Sequence, residues 1–456
     1  MGSIADFMLS RGKSPALVLE STDMLAALQG ASLAEIDNTI SCLNVDEYAT
    51  CITFLLCSKA KKLPRISSNR DDDMQVEADN TAHTQFLLQV SNLLTNMPTL
   101  PTDIREFRKL AELIKLAAKH ATACHEAIRL VLPLRTFLLR FQEALLPCDA
   151  KLQHGNKYAL TPFHSALALV ALHAKCYHAA LPVLDRPVFE VCSFVRSVDV
   201  LEYFYYGGMV YIGMKQFREA AEFLLMAITT PATSLSAIVV EAFKKYVLVY
   251  LMVHGDVPVL PKATSVVVSR GLHAHAAAYE MFATVYKTKD LKKVVDCLEA
   301  HAADFAKSDN LGLAKQSVEA LKRQRVHDLT ATYTTVSLSK VAAALSVSDD
   351  IPSSIVESER SVLDMIRAGA VTAKMDKTKE MVVFEEDTTE DHALLEMQAA
   401  IQKTVLFTER LRAVDVALTK SSKFIGKTKG RKHPEVDAPE DRWAVMNQLQ
   451  STGASG

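Results

Sequence analysis

Residues 204–231 read FYYGGMVYIGMKQFREAAEFLLMAITTP. Apolar side chains return every three or four positions through this stretch, the spacing of helices that each bury one face. Forty positions upstream the same residue classes recur: Ala168, Ala171, Ala180 and Leu184 stand in register with Gly208, Tyr211, Ala220 and Leu224. A helix pair repeated along a chain cannot bury its apolar face alone, so it stacks on its neighbours.

The downstream copy follows much of the tetratricopeptide pattern, with aromatic Phe204, small Gly208, Tyr211, then Ala220, Leu224 and Ala227. Small residues let two antiparallel helices approach, and large ones fill the remaining space. Gly207 stands where that pattern has Leu, and Pro231 falls one residue early. A plain helical hairpin is the alternative reading.

Working outward, the periodicity predicts helices over Ser236–His254, Thr264–Arg270, His273–Tyr286, Asp290–Ala306 and Leu311–Arg323, with Asp309 and Asn310 capping the last. Upstream, Phe86–Leu145 reads as two or three helices, with Thr102 as a cap and Pro98, Pro101 and Pro133 as breaks. The expected division is an N-terminal helical segment over 1–63, an acidic flexible linker over 64–82 and a helical-repeat solenoid over 83–325. The linker loses periodicity and gathers Asp71, Asp72, Asp73, Glu77 and Asp79.

After Arg325 the rhythm changes to a short Thr334–Leu338 segment, a helix over Lys340–Leu345, a second over Ser354–Arg367 stopped by Gly369, and two β-forming runs, AVTAKM and MVVFEE. That order is a winged helix over 326–386. A long C-terminal helix over 387–425 follows, and 426–456 reads as a basic disordered tail. Its cluster Lys427, Lys429, Arg431 and Lys432 suits a nuclear-import signal or a solubilising tail. The fold class is therefore mainly α: repeats, winged helix, terminal helix.

Bulk properties narrow the function. The 456 residues carry 51 Lys and Arg against 53 Asp and Glu, so no net charge draws the whole chain toward nucleic acid or an acidic membrane. No apolar run approaches the ~20 residues of a membrane span. The eight Cys include no CxxC pair and no signal peptide precedes them, which reads as reduced, mostly buried thiols.

No catalytic constellation emerges. His273-Ala274-His275 is the His-x-His of zinc isopeptidases, but the downstream positions that should hold Ser and Asp hold Ala283 and Tyr286. His120 and His125, and His173 and His178, are each five apart, which places each pair on different faces of a helix. Cys176 has no base and orienting acid nearby and reads as a helix thiol. Phosphate-loop, dinucleotide and nucleophile-elbow motifs do not occur. The expectation is no enzyme, no metal and no cofactor. The helix over Ser354–Arg367 carries Glu357, Glu359 and Asp364 against Arg360 and Arg367, a poor match to a phosphate backbone, so nucleic acid is disfavoured.

Two elements instead suit protein partners. The hairpin offers Val371, Ala373, Met375, Met381 and Val383, and a free strand edge invites pairing. The final helix offers a stripe of Leu394, Met397, Ile401 and Val405 continued by Phe407, Leu411, Val414 and Leu418.

Repeats feeding a winged helix and a long helix resemble the PCI domain shared by proteasome-lid, signalosome and initiation-factor-three subunits, here about 200–386. Within that superfamily YYGGMVYIGMKQFREA, AITTPATS, EAFKKYVLVYL, LPKATSVVVSR, HAKCYHAALPVLD, DNLGLAKQS and ERLRAVD resemble the third-subunit family of the COP-nine signalosome, while the first 150 residues resemble it only faintly. The resemblance implies a non-catalytic subunit of the hetero-oligomer that removes Nedd8 from cullin-RING ubiquitin ligases. It implies the first and eighth subunits as neighbours, indirect contact with cullin-RING ligases, and residence in cytoplasm and nucleus. The alternative is a PCI subunit of another assembly, in the proteasome lid, translation initiation or mRNA export, that binds nucleic acid through its winged helix.

Overall fold

A computed structural model describes residues 30–64, 73–97, 104–144, 159–191, 195–345, 351–367, 369, 371–376, 379–384 and 390–421. The chain divides into two compact units: Met1–Met365 with Asp376–Val382, and Ile366–Met375 with Val383–Gly456. Helices dominate, and the few strands are short.

Among the described residues of the first unit come, in order, α1 (Leu33–Cys42), α2 (Val45–Lys62), α3 (Asp73–Asn96), α4 (Ile104–Ala123) and α5 (Ile128–Ala144). Ser32 and Glu35 form a reciprocal capping box at α1, closing two otherwise orphaned amides. Buried Lys59 on α2 is held by Asp37 and by Gln89 Oε1 at 3.0 Å, and Gln89 Nε2 donates to the same Asp37 oxygen. A buried ammonium is tolerable only with such partners. The apolar core of this part gathers Phe86, Phe107, Phe137 and Phe163, with Phe137 edge-on to Phe163 at 5.4 Å.

Next come β1 (Ala159–Leu160), α6 (Pro162–His173), α7 (Tyr177–Leu184) and β2 (Glu190–Val191), with β1 parallel to β2. Then follow α8 (Ser197–Gly213), α9 (Phe217–Thr229), α10 (Ala237–His254), α11 (Val266–Lys287), α12 (Leu291–Ala300), α13 (Ala302–Lys307) and α14 (Leu311–Thr330). The forty-residue register is physical: Ala168, Ala171, Ala180 and Leu184 are buried, as are Gly208, Tyr211, Ala220 and Leu224. Gly207 departs from the repeat pattern because the Phe223 ring occupies its side-chain space; an added Cβ would meet that ring at 2.7 Å.

Among the described residues one turn recurs five times. His125, Lys175, Lys215, Lys289 and Asp309 all adopt left-handed φ between 52° and 60°, two positions beyond a helix end. In four of them the next amide reaches back to the last turn of that helix: Glu126 to Ala121, Cys176 to Ala171, Gln216 to Tyr211 and Asn310 to Phe305, at 2.9–3.0 Å. These are helix-closing bonds of the Schellman type, here without glycine. Glycine takes a left-handed helix end at Gly255, φ 70°, directly after α10, and at Gly369, φ 68°, two positions beyond the helix that ends at Arg367.

Several expectations change. Helix α3 starts at Asp73, inside the stretch expected to be a linker to residue 82; a helix seeded by the apolar Phe86–Leu94 segment propagates at one hydrogen bond per residue. Pro133 lies within α5 instead of breaking it, so the helix forgoes a single amide donor there. Pro98, Pro101 and Thr102 lie outside the described residues. The predicted break near Gly271 is absent: α11 is continuous there and departs from helical geometry at Ala276. Asp290–Ala306 is two helices, and Asn310 is no side-chain cap; its Nδ2 donates to Tyr279 Oη at 3.0 Å in the core.

The winged-helix elements are β3 (Thr335–Ser337), α15 (Leu338–Leu345), α16 (Ile351–Arg367), β4 (Ala373–Asp376) and β5 (Met381–Phe384), in strand order β3-β5-β4. In the second unit the long helix is α17 (Glu390–Lys420). The expected tail, 426–456, lies outside the described residues, as does the helical segment's start, 1–29.

Candidate interaction surfaces

The hairpin is a narrower surface than its sequence promised. Because β3 pairs with β5, with Leu338 N donating to Glu380 O at 2.8 Å, β5 is the middle strand and its Met381 and Val383 lie on no edge. Val371 is buried, 8% exposed, and cannot serve as a contact in this state. The two edges are β3 and β4; of the hairpin strands only β4 is an edge, and it carries Ala373 and Met375, both half-buried. Val383 is still exposed through its side chain.

Helix α17 presents all eight predicted positions to solvent. Leu394, Met397, Ile401, Val405, Phe407, Leu411, Val414 and Leu418 range from 40% to 69% exposed, and Leu395 and Val416 join them. The stripe has two phases. Val405 and Phe407 are two residues apart, so the first four positions and the last four centre on directions about 115° apart around the helix. Simple three-and-four counting passes over that shift, and over Leu395 and Val416; a helical wheel reveals both.

The residues weighed for chemistry scatter. Exposed His273 pairs with Glu280 at 2.7 Å, while Ala283 and Tyr286 point into the core. The five-apart histidines are not on single helices: His125 is the left-handed residue of the α4–α5 turn, and His173 and His178 lie on α6 and α7. His120 Nε2 instead meets Ala60 O at 3.0 Å beside His83, and burial first, then His83, lowers its pKa. Among the described residues no group of three or more His, Cys, Asp or Glu is arranged to hold a metal, and no helix is long and apolar enough to cross a membrane.

The thiols are less sheltered than expected. Cys51 and Cys57 are buried, with desolvation pushing them up to about 11 and about 12, but Cys42 is exposed and Cys124, Cys176 and Cys297 are intermediate. Cys176 sits at the N-terminal boundary of α7, not within a helix.

Comparison with known proteins matches two families. Residues 15–268 match the family described as COP9 signalosome complex subunit 3, N-terminal helical repeats, and residues 298–386 match the PCI domain. The first match reaches well into the N-terminal 150 residues, where none of the resembling segments quoted above lies. A Dictyostelium discoideum protein named COP9 signalosome complex subunit 3 is 31% identical over 293 residues, 62% of this chain and 69% of its own length. A Drosophila melanogaster protein of the same name is 32% identical over 246 residues, 50% of this chain and 54% of its own.

Proposed function

Since the chain belongs to the COP9 signalosome subunit 3 family and exposes an apolar helix beyond a PCI domain, we propose that it is a non-catalytic scaffold subunit of the complex that removes Nedd8 from cullin-RING ligases. The observation that carries this reading is α17. Its exposed Leu, Ile, Val, Met and Phe each contribute ~1.5 to 3 kcal/mol when buried, before association entropy is subtracted. Such a surface is unfavourable in water and favourable in a helical bundle.

The β4 edge supplies a second, directional contact, because its unpaired backbone groups suit strand addition by a neighbouring subunit. In this reading the helical repeats extend to about residue 325, the winged helix occupies 326–386, and the first and eighth subunits are the neighbours. The bond-breaking centre belongs to another chain, contact with cullin-RING ligases is indirect, and the protein acts in cytoplasm and nucleus.

The test is purification of the tagged chain from cells followed by mass spectrometry. Stoichiometric co-purification of signalosome subunits is expected. A chain that emerges alone and monodisperse refutes the scaffold reading.

A further inference from the structure

A cleft of about 600 Å³ in the first unit lies between α4 and the N-terminal ends of α6 and α8. Its walls are basic. Arg108, Lys115 and Lys119 follow one another along α4, and Arg196 stands opposite at the start of α8. The floor is apolar, formed by Ala111, Leu116, Pro162 and Val195.

The two carboxylates in the cleft are already committed. Asp199, whose side chain is 3% exposed, takes Lys115 and the guanidinium of Arg196 at 3.2 Å. Burial alone raises its pKa, but those two partners hold it below the usual value. Glu112 is held in the same way by Lys61 and Lys109. Arg108 and Lys119 are exposed, and among the described residues neither forms a salt bridge, although Glu202 beside the cleft acts electrostatically on Lys115, Lys119 and Arg196. Arg196 keeps 69% of its side chain in solvent. The cleft therefore retains a net positive potential, which a concave, partly apolar wall concentrates. The nearby helix ends add to it.

We infer that this cleft docks an extended acidic segment of a partner protein, five or six residues long, with carboxylates toward both ends and an aliphatic side chain between them. The length follows from the geometry. Arg108 and Lys119 are eleven residues apart on α4, about 16 Å, which an extended chain spans in about five residues. The aliphatic requirement follows from the floor: Leu116 and Val195 give a phosphate or a sugar-phosphate backbone nothing to bury against. Neither α17 nor the strand edge is involved, so the inference is independent of the scaffold reading.

The test is fluorescence anisotropy on the full chain with a labelled peptide, Asp-Glu-Leu-Leu-Glu-Asp, against a serine version, Asp-Glu-Ser-Ser-Glu-Asp, and a labelled single-stranded oligonucleotide. Binding of the leucine peptide is expected to be at least about fivefold tighter than that of the serine peptide and to weaken with added salt. Arg108→Glu with Lys119→Glu should weaken it at least about tenfold while leaving the melting temperature unchanged, since both side chains are exposed; Arg108→Ala with Lys119→Ala should give a smaller loss. No binding, equal affinity for the serine peptide, tighter binding of the oligonucleotide, or charge-reversal variants that bind as well as the parent would each overturn the inference.

Discussion

His164 gives the repeat region a definite acid limit. It is buried at the third position of α6, its Nδ1 3.1 Å from the Thr161 amide and 2.8 Å from Thr161 Oγ1, with its ring edge-on to Tyr203 of α8 at 5.7 Å. Burial, helped by Arg186 and opposed by the Thr161 backbone, pushes its pKa from 6.5 down to about 4. The folded value lies below the unfolded one, so the unfolded chain binds the proton first. The stabilisation is complete above 6.5 and is lost as pH falls toward about 4. That gap corresponds to ~3 kcal/mol when fully lost, of which ~2 kcal/mol has gone by pH 5. His164→Gln keeps the reciprocal cap, since Gln at this position also completes a Thr-x-x-Gln box, and it cannot protonate. Urea melts of both proteins at pH 7.5 and pH 5 isolate the contribution. The variant should lose ~1 kcal/mol at pH 7.5 through poorer packing on Tyr203, and its further loss on acidification should be smaller than the parent's by ~2 kcal/mol. Identical acid losses in the two proteins would show that His164 is not titrating in a buried state.

Three other outcomes are expected. In Gly208→Ala the new Cβ meets Leu224 Cγ and Cδ2 at 2.9 Å; overpacking of ~1 to 3 kcal/mol outweighs the ~1 kcal/mol gained in helix propensity, whereas Gly312→Ala, with nothing within 4 Å, is neutral or stabilising in the same urea assay. Ile401→Asp with Leu411→Asp, at positions 57% and 69% exposed, should leave the chain's melting transition within ~0.5 kcal/mol of the parent yet abolish co-purification with other subunits; normal assembly on size-exclusion chromatography would remove α17 from the interface. The isolated chain should release no Nedd8 from a conjugated cullin, and its metal content by elemental analysis should be far below one equivalent.

Much of the fold was legible because burial in helices obeys a period. Ala168 and Gly208, forty apart, are both buried small residues for the same steric reason, and the winged-helix order followed from turn and strand chemistry at Gly369 and the two β-forming runs. What escaped notice depends on neighbours. Lys175 and Lys215 close helices in left-handed geometry that the sequence ordinarily advertises with glycine, so the recurring turn was hidden. Asn310 looked like a cap and became a core partner of Tyr279, a contact 31 residues away that no local pattern encodes. Of the hairpin residues, Ala373, Met375, Met381 and Val383 lie on strands and Val371 lies on the bend before β4, but which strands form the edges depends on where β3 pairs, and that pairing moved Met381 and Val383 to the middle of the sheet.

The same distinction explains what kind of surface α17 is. Its apolar positions were readable one by one, yet their direction in space was not, since a spacing of two between Val405 and Phe407 turns the stripe by about 115°. A straight helix lying against Leu394, Met397, Ile401 and Val405 would run off the apolar surface before reaching Leu411 and Leu418. Full burial therefore requires either a partner that winds around α17 or two neighbours, one for each half. A helix folding back along its own chain with ordinary packing angles meets a narrow seam, not a turning one. The geometry of the stripe thus favours an assembly of several helices over a single docking contact, and it does so from side-chain positions alone.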